Sequence, residues 1–233
     1  MERSIIIAGK KIIQFVFLGF DEETYKNSIY PIIDSDLIKI WDDICLSPIF
    51  SSLNPKFRKI FIVNSEYDQN KDEKMDITEE DFQYLLDATQ SPQNCALQGG
   101  NVIAISNLFI KNECIHNICS LFSTLTHELV HMAEDNFCVG KPAQYIYANL
   151  TREQKTYFDV QVTTIFKCIR ENQYAFYTLC DYIGSSGLQD EHERLAYCVE
   201  AYIIVKYQGY VELTKKIEQP LKEITRFISN SLK

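Results

Sequence analysis

Two histidines and a glutamate stand at a spacing that suits metal chemistry. Residues 127–131 read His-Glu-Leu-Val-His. On an α-helix, residues four apart lie one turn above each other, so the imidazoles of His127 and His131 can reach one metal ion. Glu128 then stands beside them, where its carboxylate can take a proton from a water on that metal. The pattern predicts a zinc site with a general base.

The residues around this motif have the periodicity of an amphipathic helix. Its apolar residues recur at helical spacing and form one stripe, which consists of Ile118, Leu121, Phe122, Leu125, Leu129, Met132 and Ala133. His127 and His131 lie opposite the centre of that stripe, beside Thr124 and Asp135. We therefore expect one face to pack in a core and the other to line a cleft. The alternative is a pair of histidines on a solvated face.

Catalytic zinc sites have three protein ligands and one open position, so a third ligand is needed. His116 lies about 16 Å along the same helix from His127, because a helix rises about 1.5 Å per residue, and it cannot join the site. Carboxylates are the better candidates. One face of the predicted helix at 188–208 carries Glu193, Ala196, Tyr197, Glu200 and Ile204. A charge on such a face needs a partner if it is buried.

Together these segments resemble the gluzincin branch of the zincin metallopeptidases. The match consists of His-Glu-Leu-Val-His at 127–131 and Glu-Arg-Leu-Ala-Tyr at 193–197, and the resemblance covers residues 99–205. It implies that Glu193 is the third zinc ligand. It also implies an edge strand, at residues 101–106, along which the substrate backbone pairs. The chain length is closer to a single-domain minigluzincin than to the thermolysin-like enzymes.

One position departs from the thermolysin-like pattern. In those enzymes an aspartate four residues beyond the third ligand orients a histidine, whereas this chain has Tyr197 there. Glu200, further along the same face, can fill that role and is also the alternative third ligand. Asp135 is a further candidate, although a role beside the ligands suits it better than ligation.

The resemblance implies hydrolysis of peptide bonds in a protein or peptide substrate. Zinc held by His127, His131 and Glu193 lowers the pKa of its bound water to about 7. Glu128 takes the proton and delivers it to the leaving amine, and zinc polarises the carbonyl. Members of the family usually have one more donor, for which Tyr197 and His192 are the candidates.

A catalytically silent zinc-bearing protein is the alternative function, with a binding, regulatory or structural role. The intact Glu128 counts against it, because a binding site needs no general base. Peptide-library cleavage separates the two functions.

A second metal pattern begins at Asp68 and ends at Glu79, with oxygen side chains at the positions of an EF-hand calcium loop. Glu73 stands where that loop requires glycine, and the residues before it read as a strand. We therefore favour a solvated acidic loop, in which Thr78 caps the following helix.

Hydrophobic patterning predicts an α+β protein with a zincin-like fold and one domain, residues 1–233. Residues 1–110 are expected to form a small mixed sheet with short helices, and residues 111–233 a helical half that carries both motifs. Predicted strands occupy 4–8, 11–20, 57–64 and 102–106, and short helices 36–46 and 78–88. Predicted long helices occupy 114–136, 151–182, 188–208 and 211–230, with a connecting loop at 140–149.

Composition and charge set limits on partners and location. The 233 residues are 46% hydrophobic and carry a net charge of −9, which disfavours binding to nucleic acid. No run approaches the ~18 apolar residues of a membrane span. Asp21, Glu22 and Glu23 follow the apolar run at 12–20, where a signal peptide would have its cleavage site. The eight cysteines include no C-x-x-C pair, so we expect free thiols and a cytoplasmic protein.

Overall fold

The computed structural model describes residues 2–7, 10–27, 59–63, 96–99, 102–106, 118–172 and 190–231. The predicted helices at 36–46 and 78–88, the acidic loop at 68–79 and His116 lie outside these residues. The chain divides into two compact units, and one boundary falls within a helix, after Glu128. The predicted α+β class is confirmed, while the single-domain organisation stays a prediction.

The first unit contains a mixed sheet of five described strands. They are Glu2–Ile7 (β1), Lys10–Leu18 (β2), Lys59–Val63 (β3), Ala96–Gly99 (β4) and Val102–Ser106 (β5). Their order is β1-β2-β3-β5-β4. The central strands β2, β3 and β5 are parallel, whereas β1 and β4 run antiparallel to their neighbours.

Consecutive residues of the three parallel strands are buried. Residues 15–18, 60–63 and 103–105 are each at most 2% exposed. Because successive side chains of a strand point to opposite faces, both faces of this part of the sheet are covered. Parallel sheets are commonly buried in this way, which explains why these strands read as continuous apolar runs.

The predicted edge strand at 101–106 is wrong in its position. β5 pairs with β3 on one side and with β4 on the other, so β4 is the edge among the described strands. No local pattern indicated β4, because Ala-Leu-Gln-Gly is too short for a period-two pattern and lacks β-branched residues.

A short helix, Glu22–Lys26 (α1), follows β2 and was not predicted. Asp21 begins it, and its carboxylate accepts a hydrogen bond of 2.7 Å from the backbone N–H of Thr24. This is a typical N-cap. Its hydrogen bonds, first the one from the Thr24 backbone, lower the pKa of Asp21. Five residues are too few for helical periodicity to be recognised in the sequence.

Four long helices follow, and all four were predicted. They are Ile118–Phe137 (α2), Arg152–Glu171 (α3), Arg194–Tyr207 (α4) and Val211–Ser231 (α5). The prediction of a helix through residue 182 is wrong, because α3 ends where Asn172 takes an extended backbone, with φ −100° and ψ 98°. None of the described helices is long and apolar enough to cross a membrane.

The core of the second unit is built around α4. Ten of the eleven residues from Leu195 to Val205 are buried. They lie on every side of the helix, as expected for a helix inside a core. The helices α3 and α5 contact each other and both contact α4. Their buried apolar residues include Phe158, Val162, Ile165 and Ile169 of α3, and Ile217, Leu221, Ile224 and Ile228 of α5.

A capping box begins α3, and its loss should be measurable. The Thr151 hydroxyl accepts from the backbone N–H of Gln154, whose side chain accepts from the backbone N–H of Thr151. We expect Thr151→Ala to lower the free energy of unfolding by about 1 kcal/mol, because an N-terminal N–H loses its partner. Thr164→Ala is the matched control, since the Thr164 hydroxyl is exposed and bonds only to the carbonyl of Val160. Equal denaturant midpoints for the two variants would contradict the expectation.

Cys138, Cys168 and Cys198 are free thiols. Burial is the largest cause that raises the pKa of Cys138, to about 11, and the nearby Glu134 carboxylate adds to it. Burial also raises the pKa of Cys198. Thiols held in the protonated form are poor nucleophiles, so Cys138 is a buried structural thiol.

Candidate metal centre

Helix α2 carries both histidines of the motif and places them one turn apart. The apolar stripe is confirmed over its described part, where Leu125, Leu129, Met132 and Ala133 are at most 3% exposed. His131 is itself only 6% exposed, whereas His127 is half-buried. A solvated histidine face is therefore wrong for His131. A buried imidazole needs polar partners, and the structure provides carboxylates on both sides of the ring.

Glu193 lies against His131. Its Oε2 is 3.3 Å from Nε2 of His131, and the Glu193 side chain is 28% exposed. Glu193 occupies the N-cap position of α4, yet its carboxylate makes no capping hydrogen bond. The side chain is thus directed to the histidine and not to the backbone of its own helix.

A network of side chains holds the start of α4 beside Glu193. The Arg194 guanidinium donates to Asp159 of α3 over 2.8 Å and lies over the Tyr147 ring, 4.9 Å from its centroid. The Tyr147 hydroxyl donates to the same carboxylate over 2.9 Å. Burial, with Asp159 second, raises the pKa of Tyr147. These contacts tie the residue after Glu193 to α3.

His127, His131 and Glu193 form one group of possible metal ligands. One ligand atom from each lies within 4.8 Å of the others. Two ligands of a tetrahedral zinc ion, each about 2.0–2.1 Å from the metal, are about 3.3–3.4 Å apart. The 3.3 Å between Nε2 of His131 and Oε2 of Glu193 matches that separation. Two imidazoles and one carboxylate also form a known donor set of catalytic zinc, so these residues fit the ion.

The other predicted ligands do not join this group. Glu200 is only 6% exposed within α4, and Asp135 is half-buried on α2. Neither belongs to a described set of three side chains that could hold a metal ion. Of the two glutamates on the predicted face, the structure brings Glu193 to the histidines.

His192 lies beside His131. Its ring centroid is 4.5 Å from that of His131 and 5.0 Å from that of Tyr145. Tyr197, the other candidate donor, is half-buried one turn into α4, where its backbone N–H bonds to the carbonyl of Glu193. A donor role for either residue stays a prediction.

Glu134 is the residue that sequence reasoning missed. It is only 2% exposed and lies one turn beyond His131 on α2, with its Oε2 3.7 Å from Nδ1 of His131. It forms a second group of possible ligands with His131 and His192. The signal was present as a glutamate three residues after the second histidine. Its place next to the apolar stripe, however, made Asp135 the more obvious candidate.

Comparison with known proteins returned no match. No protein-family model, no curated protein and no solved structure is detectably similar to this chain. The geometry of the site is therefore the basis for a functional assignment.

Proposed function

We propose that this protein is a zinc-dependent metallopeptidase that hydrolyses peptide bonds of a protein or peptide substrate. One observation carries the proposal: His127, His131 and Glu193 present one ligand atom each within 4.8 Å of one another. Two of these residues come from one turn of a helix. The third, Glu193, comes from a distant part of the chain. The contacts of the next residue, Arg194, hold that part of the chain in place.

The proposed roles divide the site into ligands and a base. His127, His131 and Glu193 would hold the metal, and three protein ligands leave a fourth position open. When bound, zinc supplies Lewis acidity and a water of lowered pKa near neutral pH. The carboxylate of Glu128 takes a proton as general base and delivers it to the leaving amine nitrogen. Glu128 follows His127 directly on α2 and is half-buried.

A peptide substrate and a zincin-like fold have further support in the sheet. Among the described strands, β4 is an edge strand, and it precedes α2 in the chain. The free edge of a sheet can pair with the backbone of an extended peptide. We therefore propose β4, in place of β5, as the edge with which an extended peptide backbone can pair.

A reducing compartment, such as the cytoplasm, is the location that we propose. Cys138, Cys168 and Cys198 are free, and burial raises the pKa of the Cys138 and Cys198 thiols. Disulfides are rare where thiols are kept reduced.

Zinc content and chelation test the proposed function. We expect about one zinc per chain in protein purified without added metal, and cleavage of a proteome-derived peptide library that stops with a zinc chelator and returns with zinc. Absence of zinc, with no uptake at micromolar supply, would overturn the proposal. Zinc-dependent cleavage of a library peptide would exclude the silent zinc-bearing protein, whereas absence of cleavage would not distinguish that protein from a selective protease.

A further inference from the structure

We infer that Glu134 is the positioning residue for His131: its carboxylate accepts the Nδ1–H of the imidazole and so presents Nε2 to the metal. The inference rests on the proposed zinc site. In this role Glu134 touches no substrate, and its effect on metal affinity acts through His131.

The burial and contacts of Glu134 point to this role. The residue is 2% exposed, and its Oε1 accepts a hydrogen bond of 3.1 Å from the backbone N–H of Ile146. Its Oε2 is fully buried, and no donor among the described residues forms a hydrogen bond with it. A buried carboxylate oxygen without a donor is costly. Nδ1 of His131, 3.7 Å away, is the donor that the structure sets beside it.

The two nitrogens of His131 face two different carboxylates. Nε2 lies 3.3 Å from Glu193, and Nδ1 lies 3.7 Å from Glu134. A neutral imidazole binds a metal through the nitrogen without a proton, and the acceptor at the other nitrogen selects that tautomer. Glu134 thus selects Nε2 as the ligand atom, which is the nitrogen on the side of Glu193.

The segment after α2 keeps Glu134 in place without help from a metal. Besides the bond from Ile146, the Asn149 side chain bridges this segment, because its amide donates to the carbonyls of Ala143 and Tyr145 over 2.8 Å each. The Tyr145 ring in turn lies against His192. The loop after α2, fixed by these hydrogen bonds, therefore holds the Glu134 carboxylate. Support of this kind from surrounding residues pre-organises a metal site.

The variant Glu134→Gln separates this role from support of the loop. Glutamine keeps a carbonyl oxygen for the N–H of Ile146 but places an amide, a donor, at the other position. We expect the zinc dissociation constant to rise about 10- to 100-fold, the usual effect of losing such a partner. Melting of the metal-free protein should change little. With cobalt in place of zinc, the visible spectrum should stay tetrahedral, because the three ligands remain.

Glu153→Gln is the matched control, since it makes the same chemical change at an exposed residue of the first turn of α3, and its zinc affinity should equal that of the wild type. If wild-type protein binds zinc and Glu134→Gln binds it equally well, Glu134 has no positioning role. A loss of tetrahedral cobalt absorption in Glu134→Gln would make Glu134 a ligand and also overturn the inference. Failure of the wild type to bind zinc would overturn the proposed function instead.

A measurement on the wild type covers the case in which Glu134→Gln does not fold. The chain has four histidines, so the ring nitrogens give a simple spectrum after ¹⁵N-histidine labelling. In the zinc-loaded protein we expect His131 to carry its proton at Nδ1 and the metal at Nε2. Zinc at Nδ1 of His131 would contradict the inference.

Discussion

Replacing Glu128 with glutamine should leave about one zinc per chain and lower kcat/KM for peptide hydrolysis by about 10²- to 10⁴-fold. The magnitude is the usual contribution of a general base placed at the reacting group. Glutamine has nearly the same shape as glutamate but does not take up a proton, so the fold and the metal ligands should be unaffected. Zinc content by elemental analysis and steady-state kinetics on one cleaved peptide measure the two effects.

Glu153→Gln is the control for this experiment, because Glu153 is an exposed residue of the first turn of α3 and should be dispensable. A Glu128→Gln protein that binds zinc and keeps full activity would show that another group moves the proton. In that case the chemistry assigned to the His-Glu-Leu-Val-His segment is incorrect, even if its histidines bind metal.

Replacing Glu193 with glutamine should weaken zinc binding by more than roughly 100-fold, since loss of a ligand exceeds loss of a residue that only orients one. The carboxylate of Glu193 lies 3.3 Å from His131, within the group that fits a tetrahedral ion. Glutamine offers a neutral and weaker donor in its place. Competition with a chromophoric chelator measures the dissociation constant.

Glu200→Gln is the comparison for Glu193→Gln, because it makes the same chemical change two turns along α4. Glu200 is buried but belongs to neither group of possible ligands, so we expect wild-type zinc affinity. If Glu200→Gln loses zinc and Glu193→Gln keeps it, Glu200 is the third ligand. Equal losses would point to a change in how α4 packs.

The predicted ligands reach the site by two different physical routes. One turn of helix α2 relates His127 to His131, and this relation is local. Glu193 instead depends on the packing of α4, whose next residue, Arg194, is anchored by Asp159 and Tyr147. Substitutions in that anchor should therefore act on the position of Glu193 without touching the metal.

Much of the fold was predictable, and the misses share a cause. The central strands and the long helices have sustained apolar patterns, so their existence was predicted. Most of their ends were predicted to within a few residues. The strand β4 and the helix α1 have only four and five residues, respectively. The formation of such short elements depends on a partner strand or on one capping contact. Four or five residues are too few to show a periodic pattern.

The sequence by itself determined the histidine pair and the glutamate beside it, because helical geometry relates residues four apart wherever the helix lies. Only the tertiary structure showed that Glu193, and not Glu200, lies beside the histidines, and only it set the buried Glu134 against His131. Both outcomes depend on how α4 and the loop after α2 pack in the second unit. Periodicity places a residue on a face of its own helix, but packing decides what that face meets.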